Sequence, residues 1–198
     1  MHVGGQDMPA HDPRATVSYG YGYLCDPTPA RHTVQMEMFS LEAGAPYSQY
    51  AELQFPDHSG EKFDKFDYKA IAPIYVAFNA FHYWLCACGQ CAFMPWPHDK
   101  YPIAELISAI TGWDFTAAEG LKVGRRINTL RQAFSIREGA KTGEWRLPER
   151  IEAVTTTSPT AGRKFDWKAL KEGGYAALGW DATTGKPLDS TLKELGLD

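Results

Sequence analysis

Cys86, Cys88 and Cys91 fall in one short stretch, and His82 precedes them by a single helical turn. Residues four apart on a helix share a face, so the His82 imidazole and the Cys86 thiol can converge. Cys88-Gly-Gln-Cys91 is the short loop by which two sulfurs reach one ion, with Gly89 relaxing the backbone between them. Thiolates favour zinc or iron–sulfur clusters over oxygen-seeking ions. One such pair is only half of a structural zinc centre, and His98, His58 and Cys25 are the candidates for the rest. The bland alternative is that these thiols are small apolar residues of a hydrophobic segment.

Two further clusters carry polar chemistry. Met8-Pro-Ala-His11-Asp12-Pro13-Arg14 crowds an imidazole, a carboxylate and a guanidinium around prolines. Such a rigid corner can hold an anion or a planar ligand, or can simply be a surface turn closed by an Asp–Arg interaction. Arg31-His32 follows the proline-rich Asp26-Pro-Thr-Pro29, where a neighbouring cation tends to hold the histidine neutral at pH 7. Gly20-Tyr-Gly22 falls short of a dinucleotide fingerprint, and neither a phosphate loop nor a Gly-x-Ser-x-Gly elbow occurs. Arg125, Arg126 and Arg131 read as a solvated helix face.

The elements that must position these groups are helical. Residues 1–35 are punctuated by Pro9, Pro13, Pro27 and Pro29 and by Gly4, Gly5, Gly20 and Gly22, which predicts irregular chain. The stretch 36–61, broken by Pro46 and Pro56, predicts short helical pieces and loops. Tyr68 to about Leu85 predicts a long buried helix, with Pro73 in its first turn or at its true start. Asn79 and His82 inside it need partners if buried. Met94-Pro-Trp-Pro then ends regular structure.

Ile103 to Ile110 predicts a short helix stopping before Gly112, and Thr116-Ala-Ala-Glu119 has capping-box spacing for a helix to about Ile136. Leu121, Ile127, Leu130 and Phe134 are spaced to form its buried face, and Gly139 is its stop. Residues 140–164 read as loop, Asp166 caps a helix through Leu178, and Leu192 to Leu197 adds a terminal turn or two. No alternating strand run stands out. The fold class is therefore mostly α: a multihelical domain of short helices with long irregular connections, 1–62 irregular and 63–198 the helical body.

Composition agrees with a soluble globular chain. Its 198 residues are 44% apolar and 22% charged, with formal net charge −4. No basic block exists, which argues against nucleic acid as a partner. The four cysteines are too few for a disulfide scaffold, and their clustering favours metal or redox chemistry in a reducing compartment, hence the cytoplasm. The N-terminus lacks the basic start and apolar stretch of a signal peptide. Residues 70–98 hold no charged side chain, enough to span a bilayer by length. The prolines, Asn79, His82, Gly89 and Gln90 within them favour a buried helix running into a loop instead.

Taken in order, these stretches resemble the C-terminal part of the aldehyde:ferredoxin oxidoreductase family, the tungsten- or molybdenum-pterin enzymes. His2 to Arg14 is similar to that family's stretch ending in Pro-x-His/Tyr-Asp-Pro-Arg. Gly22-Tyr-Leu-Cys-Asp-Pro-Thr-Pro-Ala-Arg-His32 is similar to its Gly-Tyr-Ala-Thr-Ser-Pro-Arg-Gly-Ala-Cys-His. Cys86-Ala-Cys-Gly-Gln-Cys-Ala-Phe93 resembles its Asp-x-x-Gly-Leu-Cys-x-Phe. Thr111-Gly-Trp-Asp, Arg126 to Gly139, Leu147-Pro-Glu-Arg150, Leu178 to Pro187 and Leu195-Gly-Leu197 continue the pattern.

The resemblance implies that Cys91 is one ligand of a [4Fe–4S] cluster. It implies that Cys86, Cys88, Gly89 and Gln90, with Arg14, lie against the pterin, and that His32 sits near the metal as a proton-transfer residue. The implied reaction oxidises an aldehyde to a carboxylate, with electrons leaving through the cluster to ferredoxin or another acceptor. Departures are Cys86 in place of the family's Asp, Thr28-Pro29 in place of Arg-Gly, Val34 in place of a basic residue, and a longer stretch between His32 and Cys91. They imply a relative with a different substrate or partner. The family's N-terminal pterin-binding domain and its Cys-x-x-Cys-x-x-x-Cys run are absent, and one thiolate cannot hold a cluster. The chain alone is expected to carry no cofactor and to be inert, needing the missing part on the same polypeptide or as a separate subunit. It is also a possible homo-oligomer. Two alternatives stand beside this reading: a small independent Cys/His metal-binding or interaction module, and a degenerate scaffold subunit.

Overall fold

A computed structural model of the chain describes residues 1–35, 38, 39, 42, 64–93 and 102–198. Among them the regular elements are a hairpin, β1 (His2–Val3) with β2 (Gln6–Asp7), and seven α-helices. The helices are α1 (Val17–Cys25), α2 (Tyr68–Ala87), α3 (Ile103–Thr111), α4 (Ala117–Arg137), α5 (Glu149–Glu152), α6 (Trp167–Leu178) and α7 (Asp189–Leu195). The mostly α expectation holds. Helix α2 runs through the middle, packed between α4 and α6, and α1 lies on α6. Trp84, Phe78, Tyr75 and Leu85 of α2 are fully buried, each contributing about 1.5–3 kcal/mol by leaving water.

The long helix begins where its cap puts it. Asp67 accepts a hydrogen bond from the Ala70 N–H at 3.0 Å, so α2 starts at Tyr68 and Pro73 falls in its second turn rather than its first. This helix is long and apolar enough to cross a membrane, with 67% of the relevant window buried in the fold. Its packing against α4 and α6 accounts for that apolar character. The capping box of α4 forms as predicted, with Thr116 Oγ1 accepting from the Glu119 N–H at 3.2 Å and Glu119 accepting from the Thr116 N–H at 2.9 Å. The helix at Asp166 also forms, its carboxylate accepting from the Ala169 N–H.

Two expectations fail for physical reasons. Residues 1–35 are not all irregular, because Val17 to Cys25 form a helix that is buried at every position. Its glycines serve close packing rather than turns: a Cβ on Gly22 would come within 2.5 Å of the Arg31 carbonyl oxygen. Thr16 provides no side-chain cap to α1. Glu42 does so from outside, accepting from the Val17 N–H at 2.8 Å and the Ser18 N–H at 2.6 Å. Burial pushes the Glu42 carboxyl up, and the bonds to Ser18 and Val17 pull against it.

The second failure is the orientation of α4. Leu130 and Phe134 are more than half exposed, at 56% and 54%. The buried positions are Gly120, Gly124, Asn128, Thr129 and Gln132. The helix is thus turned with its small and polar side inward. The expected irregular stretch 36–61 and the stop at residues 94–97 lie largely outside the described residues.

Candidate functional site

The thiol cluster sits where α2 runs out. The backbone N–H groups of Cys88, Gly89 and Gln90 fold back onto carbonyls of the last turn, Gly89 on Cys86 at 3.0 Å and Gln90 on Leu85 at 3.1 Å. Gly89 takes φ +73°, the left-handed stop that glycine adopts without strain. Cys86, Cys88 and Cys91 are in no disulfide and are exposed, which overturns the reading of them as buried apolar residues. A Cβ on Gly89 would meet nothing within 4 Å, so the turn presents an open surface.

The predicted convergence of His82 and Cys86 is present, with Nε2 and Sγ at 3.5 Å. A complete local metal centre is not. Among the described residues no group of three or more His, Cys, Asp or Glu side chains could hold an ion. Cys25 is buried, with its thiol pushed up by burial and its Sγ directed at the Lys171 carbonyl. His58 and His98 lie outside the described residues. Among the described residues, the turn offers exposed thiols that fit a shared cluster, and it does not by itself complete a zinc site.

His32 lies against the proline corner. Its ring centroid is 4.5 Å from that of His11, tilted by 34°, and Tyr19 of α1 meets His32 edge-on at 6.0 Å. Burial, then the charges of His11 and Arg31, hold the His32 imidazole below its ordinary pKa. The direction matches the expectation from Arg31-His32, but desolvation is the larger cause. Arg14 spends its guanidinium within the fold. Nε and Nη2 donate to the Asp12 carboxylate, while Nη1 donates to the carbonyls of Arg150 and Ala153 at 3.1 and 3.0 Å. The Asp–Arg turn is therefore real, and it also ties down the end of α5.

A polar chain connects the two clusters. Arg31 Nη2 lies 3.2 Å from His82 Nε2, the same nitrogen that faces Cys86. The guanidinium can only donate, so Nε2 accepts and the proton resides on Nδ1, which has no partner among the described residues. Burial first, then Arg31 and Arg131, hold His82 down at about 4. His32 and Cys86 thus stand near the two ends of one short chain, through Arg31 and His82. Nothing described joins either of them directly to Cys91.

Beside that chain lies a group of residues the sequence did not expose. Asp26 is 1% exposed and accepts from Tyr83 Oη at 2.7 Å, Asn79 Nδ2 at 3.3 Å and the Thr28 N–H at 2.9 Å. Burial pushes its carboxyl up, and these bonds together with Arg131 and Arg31 pull against it. Arg131 donates to Tyr83 Oη and to Thr28 Oγ1, with its guanidinium 4.9 Å from the Tyr83 ring centroid. Arg131 is therefore not part of a solvated face. The partners that Asn79 required are Asp26 and Asn128, whose Nδ2 donates to Asn79 Oδ1 at 2.6 Å. The one readable signal was Asp26 itself, a carboxylate between Cys25 and Pro27 ahead of two cations.

Two described clefts avoid these residues. One of about 660 Å³ lies between the N-terminal hairpin and residues 140–149, and one of about 300 Å³ lies between Trp145 and Trp167. A third, of about 20 Å³, is lined by Asp26 and Asn79 together with Tyr21, Cys25, Gln35 and Tyr75.

Comparison with known proteins gives the family of the chain. Residues 1–197 match the family model described as aldehyde ferredoxin oxidoreductase, domains 2 & 3. The chain is similar to the tungsten-containing aldehyde ferredoxin oxidoreductases of Pyrococcus abyssi and Pyrococcus horikoshii, at 28% identity over 200 residues. The corresponding protein of Pyrococcus furiosus is 27% identical over 200 residues. These alignments take in 100% of this chain but 31% of each relative, so the chain spans about a third of their length. With a match along 1–197, the chain belongs to the aldehyde ferredoxin oxidoreductase family and represents its domains 2 and 3.

Proposed function

We propose that residues 1–198 form the C-terminal α domain of a pterin-dependent oxidoreductase and present cluster- and pterin-facing groups to the family's pterin-binding part, on the same polypeptide or as a separate subunit. The observation that carries this reading is the family match along the whole chain in a polypeptide that spans 31% of its relatives. When bound, the tungsten- or molybdenum-bis-pterin supplies the two-electron oxidation of an aldehyde to a carboxylate, and the [4Fe–4S] cluster supplies the exit for electrons.

The chain's own residues do the positioning. Cys91 offers one thiolate from an exposed turn, and Gly89 and Gln90 offer backbone beside it, with Cys86 and Cys88 flanking. Cys86 replaces a carboxylate of the family pattern with a thiol already held near His82. His32, kept below its ordinary pKa, is neutral at pH 7 and can accept a proton released as the substrate is oxidised. Arg14, bound to Asp12 and to the end of α5, acts by fixing the corner beside His32. Ferredoxin or another one-electron carrier is the acceptor, the compartment is the reducing cytoplasm in which free thiols persist, and a second copy of the chain is a further partner.

The test is reconstitution with iron, sulfide and tungsten, followed by aldehyde-dependent dye reduction. The chain alone is expected to be inert, and the chain combined with the N-terminal two thirds of a family relative is expected to turn over. In that combination Cys91→Ser should lose most of the cluster iron. Robust turnover by the chain alone, or full iron retention in Cys91→Ser, would overturn the reading.

A further inference from the structure

The corner 8–14 and the stretch 31–32 are remote in sequence yet place two imidazoles ring on ring. The centroids of His11 and His32 are 4.5 Å apart. Tyr19 contacts both, at 5.2 Å from His11 and 6.0 Å from His32, and itself stacks on Tyr23 at 6.3 Å. Tyr23 Oη donates to the His11 carbonyl at 2.9 Å, and Asp12 beside it is locked to Arg14. His11 therefore has a fixed backbone and a ring held between Tyr19 and His32, although it is exposed to solvent. A surface histidine with no task would not be anchored on both sides of its ring.

We propose that His11 is the positioning partner of His32, so that the two imidazoles work as one proton-handling unit. This rests on the reading of His32 as the proton-transfer residue. Rings this close cannot both carry a charge without strong repulsion, so a proton on one opposes a proton on the other. His11 is the exposed member of the pair and His32 the half-buried one, so the stacked rings reach from solvent into the fold. The other groups that act on the pair are Arg31 on the His32 stretch, Asp12 and Arg14 on the His11 stretch, and Tyr19 and Tyr23 on α1. Glu42 lies behind Tyr19. Arg31 is turned toward His82 and the Asp12 charge is met by Arg14, so the His11 ring is the neighbour stacked on His32.

The experiment is an imidazole NMR titration of the ¹⁵N-labelled full chain as wild type, His11→Ala and His11→Tyr. Tyrosine also occupies this place in the family pattern, so it keeps a stacking ring and removes the charge. The His32 midpoint is expected to move upward in both variants. Its ring-current shifts should change in His11→Ala and stay near wild type in His11→Tyr. A His32 midpoint that is the same in all three proteins overturns the pairing. Upward midpoints combined with an absence of aldehyde turnover in the reconstituted enzyme uphold the pairing and remove only the oxidoreductase reading.

Discussion

Helices α2 and α4 pack against each other along most of their length, yet they bury opposite kinds of surface. Helix α2 puts Ile71, Ile74, Phe78, Phe81, Trp84 and Leu85 inward, and its stability follows from apolar area removed from water. Helix α4 puts Gly120, Gly124, Asn128, Thr129 and Gln132 inward and leaves Leu130 and Phe134 in solvent. Its glycines let backbone meet side chain or backbone. A Cβ on Gly120 would lie 2.4 Å from the Trp84 ring, and one on Gly124 would lie 1.8 Å from the Ala80 carbonyl oxygen. Its polar side chains bond across the interface: Asn128 Nδ2 donates to Asn79, Gln132 Nε2 donates to Thr142 and the Gly185 carbonyl, and Thr129 Oγ1 accepts from the Trp180 indole. The amide oxygens of Asn128 and Gln132 have no partner among the described residues. The difference teaches that a helix can be held by close approach and cross-helix hydrogen bonds, even incompletely satisfied ones, while its apolar stripe stays outside.

The sharpest way to break the comparison is Gly124→Ala. Helix propensity alone favours alanine by about 1 kcal/mol. The clash is with main-chain atoms of Ala80, which cannot swing aside, so α2 and α4 must separate. Packing wins, and the variant is expected to lose about 3 kcal/mol or more in urea unfolding. Gly173→Ala in α6 is the control, since its Cβ would meet only the Tyr68 carbonyl oxygen at 3.7 Å. There propensity should prevail, and the chain should gain about 0.5–1 kcal/mol. Equal losses at both positions would show that close approach is not what sets α4 apart.

The polar exception on α2 gives the next effect. His82 is 1% exposed and held at about 4, below the ordinary 6.5. A depressed value in the folded chain means the unfolded chain binds the extra proton. Stability from His82 is therefore full above pH 6.5 and is lost as pH falls toward 4, by about 3 kcal/mol across that window. Asp26 and Glu42 are shifted upward by burial and slope the other way, becoming less favourable as pH rises. Their contribution is common to wild type and His82→Gln, so the difference between the two unfolding curves isolates the histidine. That difference should change steadily from pH 7 to pH 4, and a pH-independent difference would show that His82 is not buried as a neutral ring.

How far the sequence reaches follows the same division. Helices with an apolar or capped signature were legible: Thr116 and Asp166 start helices, and Gly112 ends one in the left-handed conformation. The i, i+4 meeting of His82 and Cys86 was legible because it is local geometry. Helix α1 was hidden because Gly20 and Gly22 read as breakers when their task is contact with Trp167 and with the Arg31 carbonyl. Asp26, Tyr83 and Arg131 were hidden because a buried network depends on which faces meet, and the periodicity of α4 pointed to the wrong one. Motif order along the chain nominated His32 and Cys91 as site residues. Only coordinates place His11 on His32 and Arg31 on His82.

The smallest effect tests the exposed side of α4. Leu130→Ser and Phe134→Ser remove apolar atoms that are already in water, so no cavity forms and little transfer free energy is lost. Phe134 also meets the Arg137 guanidinium at 5.0 Å, an exposed cation–π contact worth about 0.5 kcal/mol. Serine lowers helix propensity by a few tenths of a kcal/mol at each site. Each variant should therefore unfold within about 0.5–1 kcal/mol of wild type. The same substitutions would cost several times more had the apolar stripe been the core face. A loss of 3 kcal/mol at Phe134 would mean that α4 is turned by about half a revolution, with Asn128 and Gln132 outside. That single measurement discriminates between the two faces without touching the proposed site.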